Sequence, residues 1–398
     1  MIERIPTIIF YAKSQPHWRR VVADTLVGGL RLRPAMIPSF LRQHRHVKFL
    51  FDEEYRTLSY MVDWMEAFCE VSWLDERLCN INNILEYRAA LRALKRCPLI
   101  IILHSAACDN MTLLRSATAY FQDRRGKLLV LFGNEYNQMP DKIGFAREVA
   151  ADYIGSQLPI ASAEWLYAEC PRSRILAAPP ALNPKLYQPR GGPRPIDVGF
   201  RGDVYAHMYS LGDIERAEII RLFRERAKTW GIHCDIELVR YPREQWSDFL
   251  NGCKGTIGAE SGTYYLERDD HTQKAVREYL QRHPGAGFSE VYDAFFKHYP
   301  NPVSGKAISS RHFEPIGTKT CQILVEGHYN GILKADENYI SIRKDFSNLD
   351  EAIRRFKDRE YRQAMVERTY EYALARHTYS HRVEQLLKTI MADGRPSC

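Results

Sequence analysis

The stretch that decides the fold is residues 308–327, ISSRHFEPIGTKTCQILVEG. Ser309 and Ser310 favour the start of a helix, because their side chains can accept hydrogen bonds from free backbone N–H groups. Pro315 is expected in the first turn of that helix, where its missing N–H would have no partner. The apolar run at residues 321–325 then predicts a buried strand.

Two charged residues fall near the start of this predicted helix, Arg311 and Glu314. A helix N-terminus beside a basic residue attracts phosphate, whereas an ionised carboxylate on the same turn is suited to accept hydrogen bonds from sugar hydroxyls. The combination predicts a site for a nucleotide sugar, which carries both groups. From the residues alone, a Glu314 that only caps or solvates the helix end remains an alternative.

Further segments extend this pattern into a family resemblance. RHFE at 311–314, the strand after it, KDFSNLDEAIRRF at 344–356 and HTYSHRVEQLL at 377–387 together resemble the C-terminal half of GT-B glycosyltransferases. The chain is most similar to the CgeB-like glycosyltransferase family, and its first half is similar in layout only. The resemblance implies an α/β fold of GT-B type, in which two Rossmann-like, doubly wound domains face each other across a cleft and a C-terminal helix packs back over the junction. It also implies that Glu314 binds the ribose of the donor.

Length and composition favour two globular domains. The chain has 398 residues, 45% of them apolar. This length exceeds the ~250–300 residues at which single hydrophobic cores stop growing. The net charge of +7 is mild and the basic residues are largely interleaved with acids, so we expect anionic substrates or peripheral membrane association and no nucleic acid. Nine cysteines without a Cys-x-x-Cys pair indicate a reducing cytoplasm, with the inner face of the membrane as a further expected location.

A segment rich in proline and glycine divides the chain. Prolines punctuate residues 179–189, and Gly191-Gly192 follows, which predicts a stiff connection and then a flexible one near residue 190. We therefore expect an N-terminal acceptor domain at 1–189, a nucleotide-sugar donor domain at 190–376, a helical insertion in it at about 269–300, and a C-terminal helix at 377–398.

Strands and helices alternate through the first half, which predicts a doubly wound parallel sheet. The predicted strands lie at residues 7–11, 47–51, 99–103, 128–132, 152–156 and 174–177. Ligands of such sheets lie beyond the carboxyl ends of the strands, where His104 and Glu135 stand. If the reaction inverts the sugar, His104 or Glu135 is the predicted base, whereas a retaining reaction needs none. A structural histidine and an ordinary turn are the alternatives.

Two loops of the second half are predicted to lie against the donor. One strand runs into Arg201-Gly202, and a later one runs into Glu260-Ser261. A single glycine is not a glycine-rich phosphate cradle, so an ordinary turn between strand and helix is the alternative for the first loop.

The reaction that the resemblance implies is transfer of a sugar from a nucleotide diphosphate sugar to a glycan, lipid-linked or other acceptor. The leaving diphosphate needs positive charge, for which Arg311, Thr318 and Lys319 are the nearest candidates. No Asp-x-Asp pair occurs in the chain, which favours an enzyme without metal or cofactor. His377 and His381 stand one helical turn apart without a third ligand, so no metal site is expected there.

Two alternatives to the transferase remain open. The first is a nucleotide-sugar epimerase with the same two-domain architecture, which would act on the donor without an acceptor. The second is a non-catalytic nucleotide-sugar-binding protein, which the missing glycine-rich loop between Gly202 and Asp213 favours.

Overall fold

The structure, a computed structural model, describes residues 4–203, 208–300 and 302–394. The chain divides into two compact units: unit 1 comprises Met1–Ser156, Leu166–Ala178 and Val383–Cys398, and unit 2 comprises Gln157–Trp165 and Pro179–Arg382. Residues 179–189 thus group with unit 2. The division between the units therefore falls earlier in the chain, at residue 179, than the boundary expected near residue 190. One reason is that the backbone N–H of Leu182 donates to the carbonyl of His377 at 2.8 Å.

Unit 1 is built on a parallel sheet. Its strands are β1 (Ile5–Tyr11), β2 (Leu74–Asn80), β3 (Leu99–Ile102), β4 (Lys127–Leu131), β5 (Tyr153–Ser156) and β6 (Arg174–Ala177). Over the described residues the strand order is β2-β1-β3-β4-β5-β6, and every pair is parallel. The order reverses on the two sides of β1, as in doubly wound sheets.

Helices cover this sheet and enclose an aromatic core. They are α1 (Trp18–Gly29), α2 (Ser39–Arg42), α3 (Arg45–Phe51), α4 (Ser59–Cys69), α5 (Ile84–Ala93), α6 (Thr112–Ser116), α7 (Thr118–Gln122) and α8 (Met139–Glu148), and α9 (Ile160–Leu166) falls almost wholly in unit 2. The ring of Phe10 on β1 lies 5.8 Å from that of Tyr87 and 5.5 Å from that of Phe121. Burial of each such ring stabilises the fold by about 1.5–3 kcal/mol.

The predicted strand at residues 47–51 is wrong, because these residues end helix α3. A short apolar run does not distinguish a strand from a helix, and here Val47 and Phe49 are only half-buried. The strand that was missed is β2, whose residues 75–77 are charged and exposed. An edge strand can carry such residues, which hide it from a search for apolar runs.

Unit 2 contains the second parallel sheet. Its strands are β7 (Ile196–Arg201), β8 (Cys234–Glu237), β9 (Cys253–Gly258), β10 (Cys321–Val325) and β11 (Ile340–Ile342). Over the described residues the order is β11-β10-β9-β7-β8, again with parallel pairs only. The prediction for β10 is confirmed, and all five of its residues are buried.

The helices of unit 2 surround this sheet. They are α10 (Met208–Leu211), α11 (Glu215–Trp230), α12 (Arg243–Asn251), α13 (His271–Arg282), α14 (Phe288–Phe295), α15 (Ser310–Gly317), α16 (Leu349–Lys357) and α17 (Arg359–Arg376). Helix α15 starts at Ser310, so Pro315 lies inside the helix and not in its first turn as expected. In the predicted helical insertion, α13 and α14 pack around Val276 and Val291.

The last helix, α18 (Tyr379–Ala392), begins in unit 2 and ends in unit 1. Just after it, the carboxylate of Asp393 accepts hydrogen bonds from the guanidinium of Arg174 at 2.9 Å and from the hydroxyl of Tyr153 at 3.1 Å. The ammonium of Lys127 donates to the carbonyl of Ile390 at 3.1 Å. These bonds fix the end of the described chain to β4, β5 and β6. Residues 395–398 of the predicted C-terminal segment lie outside the described residues.

Candidate functional site

The strand order of unit 2 reverses between β7 and β9, and the candidate site lies at the carboxyl ends of these two strands. Helix α15 precedes β10, so its N-terminus falls at the same edge of the sheet. Two bonds fix it there: the guanidinium of Arg311 donates to the carbonyl of Arg201 at 3.0 Å, and Nε2 of His312 lies 3.2 Å from the carbonyl of Ala259. Such reversal points are where ligands bind in open α/β sheets.

The first turn of α15 is held by His312. The backbone N–H of Ser309, the N-cap residue, donates to Nδ1 of His312 at 3.0 Å. Burial, together with the positive charge of Arg216, lowers the pKa of His312 to about 3. The ring is therefore neutral at physiological pH, and because Nδ1 accepts, its proton sits on Nε2 and is donated to Ala259. Helix α15 thus keeps one orientation relative to the end of β9.

Glu314 is the buried anion of the site, with 2% of its surface exposed. Its Oε2 accepts a hydrogen bond from Nε1 of Trp246 at 2.7 Å and lies 3.8 Å from Nε of Arg311. The guanidinium of Arg311 stacks on Trp246, 4.7 Å from the ring centroid. Within the described ranges no hydrogen bond reaches Oε1 of Glu314. A carboxylate held in this way offers one oriented acceptor beside a cation.

A second polar cluster stands beside the first and was missed by the sequence analysis. Lys306 is buried, forms an ion pair with Asp213, and lies 3.6 Å from Glu215. Burial raises the pKa of the Glu215 carboxyl, which accepts from the hydroxyl of Tyr264 at 2.5 Å. The ammonium of Lys344 donates to the same hydroxyl at 2.8 Å. These contacts bring together residues far apart in the chain, which no local pattern reveals.

The structure places Glu260 and Ser261 at the end of β9, as predicted. Oε1 of Glu260 accepts from the backbone N–H of Tyr329 at 2.6 Å. Ser261 pairs with Ala307 in an antiparallel bridge, and its hydroxyl accepts from Arg216 at 3.1 Å. Both side chains therefore fix the loops that surround the switch point.

Arg201 contributes its backbone more than its side chain. The guanidinium is buried, pairs with Asp235 at 2.9 Å, and stacks 4.0 Å from the centroid of Phe249. Only its carbonyl faces α15. A Cβ added at Gly202 would meet the ring of Phe200 at 3.3 Å. The sequence analysis predicted that no glycine-rich loop follows Gly202. Residues 204–207 of that loop lie outside the described residues.

Thr318 and Lys319 lie at the opposite end of α15 from Arg311. An eight-residue helix is about 12 Å long. The hydroxyl of Thr318 is fully buried and contacts the carbonyl of Pro315 at 3.2 Å. Lys319 forms an ion pair with Glu367, with its ammonium 4.7 Å from the ring centroid of Tyr370. We leave both residues out of the candidate site, because their polar atoms serve the end of the helix.

One family model covers this part of the chain. Residues 256–388 are similar to a family described as glycosyl transferase-like. The matched range contains Glu260, Arg311 and Glu314. No curated protein sequence matches the chain significantly.

Solved structures show the fold of the chain. Sucrose-phosphate synthase from Thermosynechococcus elongatus is similar with a TM-score of 0.51 at 11% identity, over 98% of this chain and 100% of that one. HepE from Anabaena, in complex with UDP and glucose, gives 0.49 at 8% identity, over 98% of this chain and 100% of that one. A glycosyltransferase from Rickettsia africae gives 0.49 at 8% identity, over 99% and 100%. The two parallel sheets with their helices are an α/β fold of GT-B type.

The predicted bases of the first half lie in the interior of unit 1. His104 has no exposed surface, and neither ring nitrogen has a hydrogen-bond partner among the described residues. Its ring lies between Trp64, at 5.5 Å, and Tyr60, at 5.8 Å. Glu135 is also buried and accepts hydrogen bonds from Ser156 at 2.7 Å and from the hydroxyl of Tyr167. Catalysis by either residue stays a prediction.

His104 instead makes the stability of the protein depend on pH. Burial lowers its pKa to about 3, against about 6.5 in an unfolded chain. Only the unfolded state then binds this proton between pH 6.5 and 3, so stability is complete above pH 6.5 and falls as the pH is lowered. Between pH 7 and pH 5 the free energy of unfolding should therefore fall about 1–2 kcal/mol less in His104→Leu than in the wild type. Urea titrations at both pH values measure it, and equal losses in both proteins would contradict the assignment.

A cavity of about 270 Å³ opens in unit 1 at the carboxyl ends of β1 and β2. Its wall includes Tyr11 and Asn80 from these strands, together with the carboxylates of Asp24 and Glu86. Asp24 is held by Asn80 at 2.8 Å and by Arg20 at 2.6 Å. Burial raises the pKa of Glu86. The sequence analysis missed this cavity because it did not identify β2.

Metal-ligand clusters and membrane-spanning helices are both absent from the described ranges. No group of three or more His, Cys, Asp or Glu side chains there is placed to hold a metal ion. His381 takes part in a helix start instead, since its Nδ1 lies 2.7 Å from the hydroxyl of Thr378, whereas His377 caps the C-terminus of α17. In the same ranges no helix combines the length and the apolar character needed to cross a membrane.

Proposed function

We propose that the protein is a GT-B glycosyltransferase that moves a sugar from a nucleotide diphosphate sugar to a glycan, lipid-linked or other acceptor. The observation that carries this proposal is the arrangement of Glu314, Trp246 and Arg311 at the switch point of unit 2. This arrangement lies at the edge of the sheet where α/β proteins bind ligands. The match of residues 256–388 to the glycosyl transferase-like family supports the same reading.

In this proposal Glu314 binds the ribose of the donor. Its Oε1 accepts a hydrogen bond from a ribose hydroxyl, while Trp246 holds Oε2. The buried position supports this role, because a hydrogen bond to an ionised group is worth about 1.5–3 kcal/mol. Glu260 and Ser261 shape the neighbouring loop through their bonds to Tyr329 and Arg216.

The diphosphate of the donor lies at the N-terminus of α15 in this proposal. Free backbone N–H groups and the helix dipole favour an anion there, and Arg311 adds a full positive charge. As a bond to the sugar breaks, charge develops on the leaving diphosphate, and oriented cations stabilise it. We propose that these groups serve without a metal ion, in keeping with the absence of an Asp-x-Asp pair from the chain.

We place the acceptor in unit 1, at the cavity beside β1 and β2. The cavity is lined by carboxylates, of which Glu86 has a raised pKa. A general base acts best when its pKa lies near the working pH. If the reaction inverts the sugar, Glu86 is therefore better placed than the buried His104 or Glu135 to take the proton of the acceptor hydroxyl.

The narrower assignments rest on the sequence. Membership of the CgeB-like family, a role in cell-surface polysaccharide synthesis and a cytoplasmic location remain predictions. The cysteines support a reducing compartment, since all eight of those in the described residues are free thiols.

Incubation with a panel of nucleotide sugars, with and without candidate acceptors, tests the function. Release of nucleotide that depends on the acceptor and is lost in Glu314→Ala supports the transferase. Isomerisation of the donor without an acceptor would identify an epimerase. Binding of a nucleotide sugar without any turnover would identify a binding protein. A Glu367→Gln variant serves as the control, because Glu367 pairs with Lys319 at the far end of α15.

A further inference from the structure

Helix α1 exposes an apolar stripe. Trp18, Val22, Leu26 and Leu30 follow one another at intervals of four residues and lie on one face of the helix, and all four are exposed. Trp18 leaves 72% of its surface in solvent. An amphipathic helix of a globular protein normally turns such a stripe towards the core. Here the face that meets the core is held by the buried Ala23 and by the ion pair of Arg20 with Asp24.

The segment after α1 adds further exposed apolar side chains. Met36 and Leu41 are exposed, and Phe40 on α2 leaves 77% of its surface in solvent. Helix α3 packs against both α1 and α2, so the three helices form one layer of unit 1. Of the twelve large apolar residues that are exposed in the described chain, seven lie between residues 18 and 41. Such clustering is typical of an interaction site, whereas single exposed apolar residues are not.

The same region concentrates the positive charge of the protein. Residues 17–51 contain seven Lys and Arg against one Asp, a net charge of +6 in a chain whose total is +7. Asp24 and Arg20 neutralise each other in the interior. The remaining basic residues are all exposed: Arg19, Arg31, Arg33, Arg42, Arg45 and Lys48. The expectation that basic residues are interleaved with acids is therefore wrong for this segment.

We propose that residues 17–51, which include α1, α2 and α3, form a docking segment that binds the protein to an anionic lipid bilayer. A bilayer surface complements both the charge and the apolar side chains of this segment. Its anionic headgroups pair with the arginines, and Trp18 and Phe40 insert at the boundary of the acyl chains. A second copy of the chain would bring one +6 surface against another. Nucleic acid would neutralise the charge and leave the apolar stripe uncovered. Helix α1 is about 18 Å long, which suits a helix that lies in the plane of the interface.

This docking goes beyond the proposed function, because it rests on residues of unit 1 that take no part in the candidate site of unit 2. It adds that the acceptor is reached at a membrane surface. The cavity beside β1 and β2 shares residues 32–34 with the docking segment, so a bound bilayer lies next to the entrance of that cavity.

Flotation of the full chain with lipid vesicles tests the proposal. We expect binding to vesicles of phosphatidylcholine with 30% phosphatidylglycerol, weaker binding as salt is raised, and little binding to phosphatidylcholine alone. Arg45→Gln combined with Lys48→Gln should lower the partition coefficient about 25-fold, at about fivefold for each charge. Trp18→Ser combined with Phe40→Ser should lower it about 100-fold. Brominated acyl chains should quench the fluorescence of the wild type more than that of Trp18→Phe.

The control variant combines Tyr120→Ser with Leu238→Ser, which removes two exposed apolar side chains outside the docking segment. It should bind vesicles as the wild type does. Unchanged circular dichroism and donor binding show that the variants fold. The proposal is overturned if the protein does not bind anionic vesicles at low salt. It is also overturned if the Trp18→Ser/Phe40→Ser variant and the Tyr120→Ser/Leu238→Ser control lower binding equally. It is also overturned if light scattering reveals a dimer that Trp18→Ser with Phe40→Ser abolishes, or if the basic segment retains a DNA duplex and not vesicles.

Discussion

Replacement of Glu314 by alanine is expected to weaken binding of the nucleotide-sugar donor by about 1–3 kcal/mol, roughly 5- to 150-fold in Kd. The variant removes a carboxylate that both Trp246 and Arg311 contact. Without it, the ribose loses a charged acceptor and Nε1 of Trp246 loses its partner. Calorimetric titration with a nucleotide sugar that the wild type binds measures the loss.

Two further variants separate binding from folding. Glu314→Gln keeps an oxygen that can accept from Trp246, so it should fold as stably as the wild type while still losing affinity. Trp246→Phe removes the indole N–H but leaves the carboxylate. We therefore expect this variant to lower the free energy of unfolding more than it lowers the affinity for the donor. Unchanged donor affinity in both Glu314 variants would remove this residue from the site.

Replacement of Gly262 by alanine is expected to lower the free energy of unfolding by about 2–5 kcal/mol. Gly262 has a φ of +84°, a conformation that costs a residue with a Cβ about 1–2 kcal/mol. The new Cβ would also overlap the carbonyl oxygen of Gly305, and such overpacking adds about 1–3 kcal/mol. Denaturant titration measures the change. Donor binding should weaken as well, because the bridge between Ser261 and Ala307 holds a loop that surrounds the candidate site.

Gly231 provides the matched control for the steric part of this effect. It has a φ of +60° at the end of α11, and a Cβ there meets no atom within 4 Å. Gly231→Ala should therefore cost only the conformational term, about 1–2 kcal/mol. If the free energy of unfolding falls equally in the two alanine variants, the overlap with Gly305 does not contribute to the loss of stability.

The parts of the fold that the sequence predicted are those with local patterns. The apolar run of β10 and the serines before α15 identify a strand and a helix start without knowledge of their neighbours. The charged edge strand β2 was missed, because its pairing with β1 joins residues far apart in the chain. The helix at 45–51 was predicted as a strand, because a short apolar run does not distinguish the two.

The site was predicted only in part, for a similar reason. Arg311 and Glu314 were found because they lie on one helix turn. Their contact with Trp246 joins residues 68 positions apart, and no spacing rule connects them. Lys319 follows the same helix but lies at its other end, and its contact with the donor stays a prediction.

The attachment of Asp393 to β5 and β6 has a consequence for biosynthesis. Unit 1 includes residues 383–394, so its last contacts form only after residues 179–382 have been translated, which takes about 10–40 s at usual ribosome speeds. During that interval Arg174 and Tyr153 lack their partner, and the nascent unit remains open to chaperones along this edge. Completion of unit 1 therefore depends on synthesis of residues 383–394.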